Sequence, residues 1–180
     1  MTKDGFEESP STGDSQVRVA QIIVGAMMIG VLVYLTIVAL IRASGKLGLF
    51  AVDPWNILPP GGLLSVIALV MGSMVTLMSF IVPKVALANA RKTIAKQKHG
   101  QAEPGSFDGL YVTQIIIGIA FLESGAFFNG VALFVEGHIP NLIAALVLVG
   151  LIAARFPSRV KIDAFAKDQQ ALVFEERQSA

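Results

Sequence analysis

The stretch that decides the fold is LYVTQIIIGIAFLESGAFFNGVALFV, residues 110–135, in which Glu123 is the only charged side chain. A helix needs about 20 mostly apolar residues to cross about 30 Å of hydrocarbon. This stretch exceeds that length, so we predict a membrane-spanning helix that is long enough to tilt.

Three other stretches are also almost free of charge, namely residues 19–41, 63–82 and 139–154. The first two are long enough to cross a bilayer as helices. The last is shorter, and it spans only if Arg155 reaches back to the headgroups and Phe156 lies at the interface before Pro157 ends the helix. The sequence therefore predicts an all-α, integral membrane four-helix bundle over residues 18–156.

The composition agrees with a multi-pass membrane protein. Of the 180 residues, 54% are hydrophobic and 15% are charged, which is too apolar for an ordinary soluble domain. The formal net charge of +1 provides no field that would attract nucleic acid. The chain has no cysteine, and this excludes disulfides, thiolate metal sites and a cysteine nucleophile.

The orientation follows from the basic residues, because loops on the cytoplasmic side carry an excess of lysine and arginine. With four spans, all but two of the 14 basic residues fall on one side, and only Arg42 and Lys46 fall on the other. We therefore predict that both termini are cytoplasmic (N-in/C-in). The predicted location is the cytoplasmic (inner) membrane of a bacterium.

The regions outside the spans are more polar. Residues 1–17 are predicted to be a disordered cytoplasmic tail, and residues 157–180 an amphipathic tail that lies on the inner interface or binds a cytoplasmic partner. Residues 83–109 form a basic loop that begins with a helical stretch. The loop either binds anionic headgroups, at about 1 kcal/mol per basic residue, or only carries the orientation signal. Its basic residues are Lys84, Arg91, Lys92, Lys96 and Lys98.

The first and third spans share a short motif. Gln-Ile-Ile-x-Gly occurs at residues 21–25 and again at residues 114–118. This repeat is typical of a duplicated helical hairpin whose two copies run in the same direction. The alternative is a chance match, which is common between apolar helices built from few residue types. At the position that Glu123 holds in the third span, the first has Gly30.

Glu123 is the residue most able to carry chemistry, because it falls near the middle of its span. An acidic side chain at that depth costs roughly 2.5–3.5 kcal/mol, and such residues face protein or water and mark functional sites. No lysine, arginine or histidine lies at the same depth in any predicted span, and burial without a cationic partner favours the neutral acid. Asn129 and Ser124 are candidate ligands beside this carboxyl if it binds an ion. The alternative is a protonated carboxyl that only holds a neighbouring helix.

Small residues near Glu123 indicate close helix packing. In the third span, Gly118 precedes Glu123, and Gly125 and Gly130 follow it. The second span has a matching stripe at helical spacing, which consists of Ser65, Ala68, Gly72, Thr76 and Ser79. For the first span we predict packing through Ala26 and Gly30.

From Gly118 to Val131 the sequence reads GIAFLESGAFFNGV, and it resembles the carboxylate-bearing helix of the proteolipid (c-type) subunits of rotary ATP synthases. In that family a glutamate at the position of Glu123 binds and releases the translocated proton or sodium ion. The resemblance implies a protonatable carboxyl within a small-residue helix.

No enzyme motif is present, and we predict no catalytic residue, cofactor or metal site. The histidines His99 and His138 fall on opposite sides of the predicted membrane. Glu136 and His138 form either a solvated turn or a pH-sensitive pair. The leading hypothesis is a non-catalytic structural or accessory subunit in a homo-oligomer or membrane complex, and the alternative is a proton- or Na⁺-translocating subunit that uses Glu123.

Overall fold

The computed structural model describes residues 12–44, 62–96 and 106–178. Over these ranges the chain forms five helices and no strand, which confirms the all-α class. The helices are α1 (Thr12–Ala43), α2 (Leu63–Lys96), α3 (Ser106–Glu136), α4 (Ile139–Ala154) and α5 (Arg159–Gln178).

Three of the helices are long and apolar enough to cross a membrane. Their spanning segments are Ser15–Ala43, Leu63–Ala90 and Gly109–Glu136. Helix α4 has 16 residues, about 24 Å at 1.5 Å per residue, and it meets α5 at a bend of 71°. The described residues therefore provide three spans, or four if the bent pair counts as one, as expected of an integral membrane protein.

Three helices extend beyond their predicted spans. Helix α1 begins at Thr12, so residues 12–17 of the predicted disordered tail are helical, and residues 1–11 lie outside the described residues. Helix α2 continues to Lys96, so the helical stretch predicted at the start of the loop 83–109 is continuous with the second span. Helix α3 begins at Ser106, so residues 106–109 of that loop are also helical. Lys98 and His99 lie outside the described residues.

Long-range contacts show which helix ends lie together. Gln21 Nε2 donates to the Pro157 carbonyl at 3.1 Å, so the start of α1 lies beside the junction of α4 and α5. At the other end of the bundle, the Arg42 guanidinium donates to the Phe134 carbonyl. Helices α1 and α3 therefore run in one direction and α2 and α4 in the other. We call the end with the α4–α5 junction the basic end, and the end with Glu136 the Glu136 end.

Helix α3 lies at the centre of the bundle. In an apolar 18-residue window of each helix, 44% of the residues are buried in α3, against 22% in α1 and 22% in α2. Its core residues Ile119, Leu122 and Ala126 pack against both α1 and α4. The partners are Val24, Val31 and Leu35 on α1, and Ala145, Leu148, Val149 and Ile152 on α4.

The contact between α2 and α3 depends on small residues. A Cβ added at Gly125 would lie 2.5 Å from Val75 Cγ2 and 3.7 Å from Gly72 Cα. Ala68 is fully buried on the same face of α2. A side chain at Gly125 would therefore push the two backbones apart. We call this contact the α2–α3 seam.

Packing on α1 differs from the prediction. A Cβ added at Gly30 would meet nothing within 4 Å, and Ala26 is exposed. In the contact between α1 and α3 the small residue belongs to α3, since a Cβ added at Gly130 would lie 2.5 Å from Tyr34 Cε1. Packing through Ala26 and Gly30 was therefore wrong: α1 presents large side chains, and Gly130 makes room for one of them.

Arg155 turns toward the bundle at the basic end. Pro83 lies inside α2 and has no N–H, so the carbonyl of Ser79 lacks its usual helical donor. Arg155 Nη1 donates to that carbonyl at 3.1 Å, and its guanidinium lies 4.2 Å from the centre of the Phe80 ring. A Cβ added at Gly118 would lie 2.8 Å from Arg155 Nη1 and 3.1 Å from the Ser79 carbonyl oxygen, so a side chain there would displace the guanidinium from this contact.

Candidate functional site

Glu123 falls on the side of α3 that packs against α1. On a helix it shares a face with Phe127 and Gly130, four and seven residues further on. Both of these contact Tyr34 of α1, and the Tyr34 and Phe127 ring centres are 5.0 Å apart. The Glu123 side chain is half-buried, and its helical position places it along the line where α1 and α3 meet. We call this line the α1–α3 groove.

The carboxyl of Glu123 has no polar partner among the described residues. It makes neither a hydrogen bond nor an ion pair there, although it lies midway along the spanning segment Gly109–Glu136. The two arginines nearest the bundle core are used at its ends, where Arg42 binds the Phe134 carbonyl and Arg155 the Ser79 carbonyl. The groove therefore holds an ionisable group that nothing described in this chain satisfies.

The two predicted ligand residues lie on other sides of α3. Asn129 is fully buried, and its Nδ2 donates to the carbonyls of Ala68 at 3.3 Å and Gly125 at 2.9 Å. Ser124 is exposed, and its hydroxyl donates to the Phe121 carbonyl of its own helix at 2.8 Å.

At 3.6 residues per turn, the directions of Glu123, Ser124 and Asn129 differ by roughly 100–140° around the helix axis. The structure therefore does not bring these three side chains together within one copy. Asn129 joins α2 to α3 in the seam, and Glu123 is left as the single ionisable candidate in the groove.

Glu136 is the centre of a second polar site, whose contacts with α2 were not predicted from the sequence. Its carboxylate accepts hydrogen bonds from the Leu64 N–H at 2.8 Å, the Ser65 N–H at 2.7 Å and the Ser65 hydroxyl at 2.6 Å. The first N–H groups of a helix have no partner within it and carry partial positive charge. Glu136 of α3 therefore caps the start of α2.

His138 completes this cluster from the short link before α4. It is 3% exposed, and its Nδ1 lies 2.9 Å from Ser65 Oγ and 3.5 Å from Glu136 Oε2. The Ser65 hydroxyl has one proton, which it gives to Glu136, so Nδ1 carries a proton and donates to Ser65. The structure thus places Glu136 and His138 in contact and not in a solvated turn.

The cluster of serine, histidine and glutamate lacks the geometry of a nucleophilic site. A catalytic serine gives its proton to the imidazole and is open to substrate. Ser65 instead gives its proton to the carboxylate and is fully buried. The cluster joins the ends of α2, α3 and α4. Among the described residues, no group of three or more histidines or acids is arranged to hold a metal ion.

Comparison with protein-family models, with curated proteins and with solved structures gives no match.

Proposed function

We propose that this chain is a non-catalytic structural or accessory subunit that associates with another membrane-spanning helix through the α1–α3 groove. In this proposal the chain crosses the bilayer four times, with both termini in the cytoplasm. The basic end then faces the cytoplasm, and α5 turns along the inner surface of the membrane.

The observation that carries the proposal is the unpaired carboxyl of Glu123 at mid-depth. A charged or unsatisfied group there costs roughly 2.5–3.5 kcal/mol when it faces lipid. The two other predicted site residues that flank it offer no relief, because Asn129 and Ser124 make hydrogen bonds elsewhere. A second helix with a hydroxyl or amide in the groove would satisfy the carboxyl and cover the partly exposed surface.

Association is tested by cross-linking, for which the absence of cysteine is convenient. Ala120 and Leu77 are both exposed, the first on α3 one turn from Glu123 and the second on α2 away from the groove. In native membranes Ala120→Cys should cross-link to a second copy or a partner, and Leu77→Cys should not. Adding Glu123→Leu should weaken the cross-link, while Glu123→Gln should preserve it. Equal yields at positions 120 and 77 would contradict the proposal.

A second candidate function, proton translocation, is favoured by the same carboxyl and by the likeness of its helix to rotary-synthase proteolipids. A proton needs only the carboxyl, whereas Na⁺ needs several oxygen ligands, and Ser124 and Asn129 do not converge with Glu123. The candidates are separated by measuring proton flux into vesicles that contain the purified chain. Flux that Glu123→Gln abolishes would replace the accessory proposal, and absence of flux would exclude translocation by this chain alone.

The proposed orientation has its own test. Single cysteines at Ser44, near the end of α1, and at Ala171, on an exposed side of α5, are labelled in intact cells with a membrane-impermeant thiol reagent. We expect Ser44→Cys to react from outside and Ala171→Cys to react only after the membrane is opened. Reaction of both from outside would exclude the four-span orientation.

A further inference from the structure

A cavity at the basic end is lined by basic side chains. It has a volume of about 280 Å³ and lies where α2, the start of α3 and the α4–α5 junction meet. Lys84, Arg155 and Lys161 line it, and none of the described residues that line it is acidic. The cavity therefore has a concentrated positive charge that its own wall does not neutralise.

Two of the three cations, Arg155 and Lys161, are held in place by backbone contacts. Arg155 donates to the Ser79 carbonyl, and Lys161 Nζ donates to the carbonyls of Ala154 at 3.3 Å and Phe156 at 3.2 Å. A guanidinium has five N–H donors, and only one of those of Arg155 is used in these bonds. The guanidinium can therefore donate further hydrogen bonds to an anion in the cavity.

Neutral donors on α3 complete the wall. Tyr111 and Gln114 both line the cavity, and a tyrosine hydroxyl and a glutamine amide N–H group can each donate a hydrogen bond. Phosphate oxygens accept hydrogen bonds from guanidinium, ammonium, hydroxyl and amide groups alike, and charge-assisted bonds are the stronger ones. The lining thus has the chemistry of a phosphate site.

The position of the cavity points to a lipid as the source of the phosphate. It opens where α4 ends and the chain bends by 71° into α5, at the level where a membrane helix reaches the headgroups. Leu77, Phe80 and Ile81 lie on α2 one to two turns before Lys84, and they are exposed by 62%, 48% and 51%. Acyl chains can lie along this apolar face while the headgroup enters the cavity.

We propose that the basic-end cavity binds the phosphate of an anionic lipid headgroup. The bound phosphate is held by Arg155, Lys84 and Lys161, and the lipid tails lie against the exposed face of α2. This site is separate from Glu123 and does not depend on the role proposed for the groove.

The test measures lipid binding to the full-length chain in detergent by native mass spectrometry, with phosphatidylglycerol as the anionic probe and phosphatidylcholine as the zwitterionic control. Lys84→Gln is the test variant, because Lys84 is exposed and its loss leaves the Arg155 contact with Ser79 intact. Lys92→Gln is the matched control, since Lys92 is exposed on the same helix but does not line the cavity.

We expect wild type to retain phosphatidylglycerol in preference to phosphatidylcholine. Lys84→Gln should bind it about fivefold more weakly, the fold-change equivalent to about 1 kcal/mol per basic residue at a membrane surface. Lys84→Arg and Lys92→Gln should bind as wild type does. Equal losses in Lys84→Gln and Lys92→Gln would overturn the site in favour of diffuse surface attraction.

A second arm separates lipid from free phosphate. Inorganic phosphate at millimolar concentration should leave lipid retention unchanged, because it lacks the acyl chains that contact α2. Displacement of phosphatidylglycerol by inorganic phosphate would assign the cavity to a soluble anion and overturn the lipid proposal. Equal retention of phosphatidylcholine and phosphatidylglycerol would overturn it as well.

Discussion

The two glutamates of α3, Glu136 and Glu123, lie in opposite environments. At the end of the α2–α3 seam, Glu136 accepts three hydrogen bonds from the start of α2 and contacts His138. In the α1–α3 groove, Glu123 accepts none from any described residue, although it lies much deeper in the span. The fold thus satisfies the carboxyl of Glu136, at the end of the span, and leaves the carboxyl of Glu123 without a partner, although burial at mid-depth costs more free energy. The seam is therefore built for stability, and the groove is the place to look for function.

The largest effect is expected from overfilling the seam. Gly125→Leu would place side-chain atoms where Val75, Leu148 and Gly72 already lie, and overpacking of this kind costs about 3 kcal/mol. The matched control is Gly30→Leu, which points into open space on α1. The free energy of unfolding in detergent, measured by denaturant titration, should fall in the first variant and stay the same in the second. If both variants unfold alike, the seam is no tighter than the outer face of α1.

Removing the cap at the Glu136 end should have the next largest effect. Glu136→Ala leaves the Leu64 and Ser65 N–H groups without their acceptor, and loss of a charged acceptor costs about 2 kcal/mol. Glu136→Gln keeps a carbonyl oxygen and should lose about half as much. The same titration, with helicity followed by circular dichroism, provides the measurement. A Glu136→Ala variant as stable as wild type would remove the distinction between the two glutamates.

The smallest effect on stability is expected in the groove. Glu123→Gln should change the free energy of unfolding of the purified single chain by less than about 0.5 kcal/mol, as expected for a site away from the packed core. Its association should also be preserved, and only proton flux, if the chain carries any, should be lost. A loss comparable to that of Glu136→Ala would show that Glu123 has a structural partner after all, and the groove would lose its claim as a functional site.

The helices could be predicted because the length of an apolar stretch is set by the thickness of the bilayer. Residues 63–82 and 110–135 lie within α2 and α3, and the fourth stretch coincides with α4. The packing face of α1 could not be predicted, because a membrane helix is apolar all round and its pattern does not separate lipid from protein neighbours. Ala26 and Gly30 were chosen for their size, but large α1 side chains pack against small residues of α3.

The sites were predicted only in part, for a related reason. The depth of Glu123 follows from its position within one stretch, and the structure keeps it midway along the span. The contacts of Glu136 with Ser65 and of Arg155 with Ser79 join residues that are 71 and 76 positions apart. No local pattern contains such pairings. The duplication of the first and third spans, the orientation and the exchange of a proton at Glu123 stay predictions.

The contact between Arg155 and the carbonyl that Pro83 leaves without a donor has a mechanical consequence. The donor belongs to the α4–α5 corner and the acceptor to α2. Any outward swing of α5 that moves this corner would expose an unsatisfied carbonyl near the membrane surface. The Arg155–Ser79 hydrogen bond therefore links the position of the C-terminal helix to the segment of α2 just before Pro83, and a force on one is transmitted to the other.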